Sequence, residues 1–326
     1  MTKARRDIAE AIRIHDVVIE VIDARMPRAS ENPMLAELRG AKPCLKVLSK
    51  SDLADPSATA AWIRYFEAQN AVINAANLAS NKGGDPNSTA PHILAVALEM
   101  GKPGETRAKI AELSKKLAPR RNVAHKVVRA MVVGIPNVGK STLINTLMER
   151  KVAKTGDEPA VTKAPQRATL KSGMQLTDHP GVMWPKNEDE EGSHCLAFGG
   201  AIPDSAIDYE IVALYGARVL LERYPKALLA RYKLPNLPSS PTELIEEIGR
   251  RRGALRGGGV IDMHKAADVL IHDFRQGSLG RISLELPTTT KAAAKAARAA
   301  EAADDETGSA DSNDENVVES DDDFRE

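Results

Sequence analysis

The chain has 326 residues, 42% hydrophobic and 28% charged, enough for one sizeable core and a second, smaller one. Cys44 and Cys195 lie far apart with no C-x-x-C partner, arguing against a disulfide framework or zinc site, and no apolar run nears the ~18 residues of a membrane span. The zero net charge hides an asymmetry: twelve of the 45 acids and one of the 45 bases fall in residues 301–326, leaving 33 acids against 44 bases in a basic body that suits a polyanionic partner.

In chain order, a helix is predicted over residues 2–14, carrying Lys3, Arg5 and Arg6, and VVIEVID (17–23) reads as a strand. DARMPRASENP is polar with two prolines and is expected to be a loop. CLKVLSK (44–50) is a second strand ending in SKSD, and Asp55-Pro56-Ser57 opens a helix expected to end near Asn70. AVINAAN (71–77) is taken as the third strand, followed by a Gly/Asn loop and a helix near 91–100. A helical linker (105–117) leads to HKVVRAMVVG (125–134), a β-rich run, and then to a helix over 140–150. A polar stretch over 154–166 precedes two strand-like runs ending in LTDHPG. Strand–loop–helix units at this spacing indicate a mainly parallel sheet with helices on both faces. Beyond Trp184 the pattern turns helical, and residues 187–287 are expected to form a small helical domain after an α/β domain over 1–186. Residues 288–326 read as an Ala/Lys-rich segment and a disordered acidic tail.

The run GIPNVGKST (134–142) carries the phosphate-cradle pattern G-x-x-x-x-G-K-[ST] between a strand and a helix. Gly134 and Gly139 let the backbone wrap phosphate oxygens, Asn137, Val138 and Thr142 contribute to the cradle, and Lys140 brings a positive charge to the β- and γ-phosphates. Ser141 offers a hydroxyl to Mg²⁺ and begins a helix whose positive end faces the phosphates. Asp178, 37 residues after Ser141, closes a strand at DHPG, where an Asp can hold a Mg²⁺-bound water and Gly181 can give its N–H to the γ-phosphate. Thr162, between them, is the natural second hydroxyl for Mg²⁺. A base reader lies upstream instead of downstream: Ser49, Lys50 and Asp52 follow an apolar strand as N-K-x-D does. Asp52 can accept from the guanine N1–H and 2-amino group while the Lys50 stem covers the base. Asn74 and Ala75 match a loop that gives a backbone N–H to guanine O6. The motif order is that of a circularly permuted P-loop GTPase.

That order, with DARMP, ENPM, GIPNVGKSTLIN, AKTGDEPAVT and DHPGVMWPK, resembles the ribosome biogenesis GTPase A family from residue 1 to about 287. The resemblance implies a cytoplasmic GTPase using GTP/GDP and Mg²⁺, acting in late assembly of the large ribosomal subunit. It also implies binding to the immature subunit and its rRNA, and a monomer off the ribosome. Lys140, Thr162 and Gly181 would serve the hydrolytic step. Asn137 matches the asparagine that holds K⁺ near the phosphates in related potassium-dependent GTPases, so turnover is expected to be faster in K⁺ than in Na⁺.

The chain departs from the family at three places. Ser49 stands where Asn is usual, and weaker guanine binding follows. His179 replaces the usual Thr and is read as pointing away from the nucleotide. A W-F-P-G-H segment precedes the family's counterpart of residues 1–6, so the true start is expected upstream. Val182 occupies the place of the Ras-type glutamine, as in the family, and a slow intrinsic rate is expected. Clusters at Arg250, Arg251, Arg252 and Arg256, at Lys115, Lys116, Arg120, Arg121 and Lys126, and at the first helix are candidate rRNA contacts. The rival readings are a nucleotide-gated RNA-binding assembly factor that hardly hydrolyses GTP, and an ATP-using P-loop enzyme.

Overall fold

Among the described residues six strands form one sheet in the order β3-β2-β1-β4-β6-β5, all neighbours parallel except the β5/β6 pair at one edge. They are β1 (Val17–Asp23), β2 (Cys44–Ser49), β3 (Ile93–Ala97), β4 (Arg129–Val133), β5 (Gln166–Thr169) and β6 (Gln175–Asp178). The structure, a computed structural model, describes residues 3–40, 42–79, 92–99, 101–119, 121, 126–149, 166–170, 172–178 and 189–287. The chain-terminal segment predicted from residue 288 onward and the domain boundary expected at 186/187 lie outside them.

β1 and β2 are buried along their whole length, as parallel strands covered on both faces must be. Alternation along β1 sends Val17, Ile19 and Val21 to one face, where they join Ile110, Leu113 and Leu117 of α5 (Pro103–Leu117) and Leu143 and Leu147 of α6 (Lys140–Met148). On the other face Ile22 and Leu48 meet Trp62 and Phe66 of α4 (Pro56–Ala79), while Val18, Met131 and Val133 meet Ile8 and Ile12 of α1 (Lys3–Ile14). Two charges interrupt these apolar runs, Glu20 and Lys46. They are register partners on β1 and β2, and Lys46 Nζ donates to Glu20 Oε2 at 2.6 Å and to Glu31. Burial alone would push the Lys46 ammonium toward neutrality, but the two carboxylates outweigh it and raise its pKa.

The DARMPRASENP segment expected as a loop contains a single helical turn, α2 (Pro27–Ser30), and α3 (Pro33–Arg39) starts on its last proline, each with proline in its first turn, where the missing N–H costs nothing. A larger correction concerns residues 71–99. AVINAAN is not a strand but the last part of α4, which runs unbroken to Ala79 because nothing between Pro56 and Ala79 is Gly or Pro and alanine favours the helix. The third strand is Ile93–Ala97, in the region expected to be helical. Asn70 fixes the two together: its Oδ1 accepts from His92 N and Ile93 N, and its Nδ2 donates to Ile93 O at 2.7 Å.

The helical part comprises α7 (Glu190–Phe198), α8 (Tyr209–Arg223), α9 (Pro225–Tyr232), α10 (Pro241–Arg252) and α11 (Met263–Arg275). Its interior, with Phe198 against Phe274 at 4.6 Å between ring centres, is continuous with the α5/α6 side of the sheet. Residues 1–287 accordingly cluster as one unit.

Candidate nucleotide site

The C-terminal ends of β1, β2 and β4 bring three loops together, the crevice where open α/β sheets bind ligands. From β4 the chain enters the phosphate loop. Gly134, at φ +149°, lies so close to β1 that an added Cβ would sit 2.4 Å from Val21 O, so only glycine fits there. Gly139, at φ +93°, is the left-handed residue from which α6 starts, and the helix opens on Lys140, Ser141 and Thr142. Val138 and Lys140 are buried. Lys140 Nζ donates to Ile135 O across the loop. Burial pulls the Lys140 ammonium down to about 8, and the nearby Asp178 carboxylate only partly opposes this. An incoming polyphosphate would restore the charge that burial disfavours.

Asp178 ends β6, next to β4 in register with Val132, and is buried. Its carboxylate and the Ser141 hydroxyl are hard oxygen donors on neighbouring elements, a set that suits Mg²⁺, which takes one or two protein oxygens and completes its shell with phosphate and water. Among the described residues no group of three or more His, Cys, Asp or Glu could hold a metal. Thr162, Gly181, His179 and Val182 lie outside the described residues.

The upstream base-reading segment meets the phosphate loop directly. The Ser49 hydroxyl, fully buried at the end of β2, lies within hydrogen-bond reach of Val138 O and of Ile22 O at 3.0 Å. Its single proton serves one carbonyl at a time. Lys50, in left-handed conformation, donates from Nζ to Asn137 O at 2.9 Å and pairs with Asp23 Oδ2 at 3.0 Å. Asp52 is exposed at the tip of the following turn, whose closure is Leu53 N to Lys50 O at 3.0 Å. So Ser49, Lys50, Asn137, Val138, Gly139, Lys140 and Ser141 converge. Asn74 and Ala75 do not fall where a base loop was expected: they sit within α4, and the loop that follows the true third strand begins at Leu98. The β-branched Ile93 and Val96 just after Pro91 were the signal for it.

Two further features were not anticipated as parts of the site. Asp23 is fully buried, with Arg25 Nε and Nη2 on its two oxygens at 3.0 and 2.8 Å. Burial alone would raise the Asp23 pKa, but Arg25 and Lys50 hold the carboxyl far below its ordinary range, and it thereby anchors Lys50 as an ion pair. An acid closing an apolar strand with Arg two residues on was its legible sign. The second feature is the helical part: Asn137 Nδ2 donates to Gly200 O at 2.9 Å, and a cavity of about 680 Å³ lies beside that contact, lined by Lys50, Asn137, Arg25, His272 and Arg275 among others.

Of the candidate RNA contacts, Arg250, Arg251 and Arg252 are exposed at the C-terminal end of α10, where cations favour the helix dipole, and Arg250 is paired with Glu246 and Glu247 on its own helix. Arg121 pairs with Asp16.

Comparison with known proteins places these loops in context. A family model described as 50S ribosome-binding GTPase matches residues 129–203. The chain is similar to Ribosome biogenesis GTPase A of Bacillus cereus, 39% identical over 287 residues that cover 88% of this chain and 92% of that protein. It is 41% identical to the protein of the same name from Bacillus licheniformis, covering 88% and 96%. Among solved structures, GDP-bound TM YlqF superposes with a TM-score of 0.57 at 27% identity, covering 86% of this chain and 99% of that one. GNP-bound YlqF from T. maritima gives 0.56 at 27%, covering 89% and 100%.

Proposed function

Because the chain belongs to the ribosome biogenesis GTPase A family, we propose that it hydrolyses GTP on the immature large ribosomal subunit and that its GTP form is the one that binds there. It is a GTPase of ribosome biogenesis with a permuted α/β GTPase fold. The observation that carries the reading is the direct joining of two loops that come in inverted order: Lys50 and Ser49, from the base-reading segment, are bonded to Asn137 and Val138 of the phosphate loop.

In that arrangement the backbone of residues 134–141 wraps the phosphates and the α6 N-terminus faces them. Lys140 meets the β- and γ-phosphates, and Asp52 reads the guanine edge that adenine lacks. The loop from Leu98 is the place for a backbone N–H to guanine O6. Ser141 and Asp178, with Thr162 from the segment between, would hold Mg²⁺, which supplies charge neutralisation between the phosphates when bound. Asn137, its amide oriented by Gly200 O, is the candidate K⁺ ligand. Gly181 would give its N–H to the γ-phosphate. The exposed arginines at the end of α10 are the surface we assign to rRNA phosphates, and the protein is monomeric and cytoplasmic off the ribosome.

The test is turnover of GTP, with ATP as control, in K⁺ and in Na⁺ buffer, with and without large subunits. We expect large subunits to stimulate GTP but not ATP hydrolysis, and K⁺ to exceed Na⁺. Equal affinity of the GDP and GTP-analogue forms for large subunits would overturn the GTP-form proposal, and equal rates in the two salts the K⁺ assignment.

A further inference from the structure

The turn that presents Asp52 is held from outside the sheet. After α11 the chain turns at residues 276–280, where Gly277 and Gly280 take positive φ, and folds back over it as a strap, residues 277–284. Arg281 forks two carbonyls on either side of Asp52: Nη2 donates to Ser51 O at 2.9 Å and Nε to Ala54 O at 3.0 Å. The backbone joins in, with Ile282 N to Leu53 O at 2.9 Å. Ser283 Oγ accepts from Asp55 N at 3.1 Å, and the Tyr224 hydroxyl, at the α8/α9 junction, accepts from Ser283 N at 3.1 Å and has Asp55 Oδ2 and Ser283 O within reach of its single proton. Gly277 packs so closely on Leu53 that an added Cβ would come within 2.6 Å of its side chain. Most of these contacts fall on residues 51–55, and Leu284 N also donates to Arg25 O at 2.6 Å, whereas the phosphate loop is braced separately, through Ser49 and Lys50.

We propose that this strap is a specificity device: Arg281 is a positioning residue that fixes the turn of Asp52 and so sets how sharply the site distinguishes guanine from other purines. This rests on the reading of Asp52 as the base reader. A carboxylate discriminates only if its two oxygens stay aligned with the N1–H and the 2-amino group together, since hydrogen bonds weaken steeply with misalignment. Asp52 is exposed on a turn closed by Leu53 N to Lys50 O at 3.0 Å and Ala54 N to Ser51 O at 3.4 Å, and Arg281 holds two of the carbonyls that set the orientation of that turn. The planar guanidinium suits this role because it donates along two fixed directions at once, which an ammonium does not. A strap that merely fastened the helical part to the sheet would change affinity for all nucleotides alike.

The experiment measures equilibrium binding of GDP and of IDP, which lacks the 2-amino group, to the full chain. Wild type is compared with Arg281→Ala, Arg281→Lys, Tyr224→Phe and Asp52→Asn, with the thermal midpoint recorded for each. We expect Arg281→Ala to lower the GDP-to-IDP affinity ratio roughly three- to tenfold, the scale of two partly exposed hydrogen bonds. Arg281→Lys should recover part of it, and Tyr224→Phe, which keeps the ring, should shift the ratio in the same direction. Asp52→Asn should abolish the preference for GDP. A wild-type ratio in both Arg281→Ala and Tyr224→Phe, with the preference lost in Asp52→Asn, overturns the strap proposal and leaves the base reading standing. An unchanged preference in Asp52→Asn overturns the base reading itself.

Discussion

Glu285, one residue beyond the strap, shows how a single side chain can set the pH response of the fold. It accepts from Ala29 N through both oxygens and lies 4.0 Å from Arg28, yet burial dominates these attractions and pushes its carboxyl up to about 7. Between its ordinary value of 4.5 and about 7 the folded protein therefore holds a proton that the unfolded chain has released. Stability contributed by this group is complete below pH 4.5 and is lost as pH rises toward 7, a change on the order of 3 kcal/mol. Urea unfolding at pH 5 and pH 8 should show Glu285→Gln with a flatter profile than wild type and with its advantage at pH 8. Nothing in the sequence marks Glu285, since its burial comes from residues 28–29, far away in the chain. Ser49, Lys50 and Lys140 were legible because each belongs to a motif in which spacing and chemistry coincide. Asp23 was quoted within DARMP without a role, because its partner Lys50 lies just past the next strand and only the fold brings the two together.

Among elements, the short apolar runs bounded by polar turns at Val17–Asp23 and Cys44–Ser49 were readable as strands, whereas the equally short run at Ile93–Ala97 was read as helix. The reading failed at AVINAAN, where seven residues of mixed character end a long helix. Local composition could not decide against the unbroken stretch behind it, and Asn70, which joins that helix to the real strand, acts across 22 and 23 residues. The helical part was legible as helical but its packing was not. Gly216 in α8 lies under the Phe198 ring, so close that an added Cβ would come within 2.1 Å of it, and Phe198 is fully buried. A helix tolerates alanine well at such a position, so any loss must come from overpacking rather than propensity. Gly216→Ala should destabilise the protein by about 1–3 kcal/mol in urea unfolding, and the companion Gly253→Ala, with open space around it, should show only the smaller strain of its left-handed backbone.

At the scale of the whole molecule, permuting the chain sorts the sheet. Strands β1, β2 and β3 stand side by side, as do β4, β6 and β5, and the two groups meet at the single β1/β4 seam, where Val17 to Glu20 pair with Ala130 to Val133. Motif order alone marks the permutation in the sequence, whereas the seam is defined by strand pairing. A chain cut just ahead of β4 would divide the sheet along that seam without severing either group. We expect the two fragments, co-expressed, to reassemble and bind GDP, and each alone to fail, with affinity purification through a tag on one fragment as the readout. The same arrangement bears on the order of synthesis. The half that carries the proposed base reader leaves the ribosome first, with β1 exposing an unpaired edge until residues 129–133 have been made. Until then a nascent chain of this protein is a sticky half-sheet with no place for phosphate, and a ribosome that stalls in the interval leaves an aggregation-prone intermediate where a finished assembly factor should be.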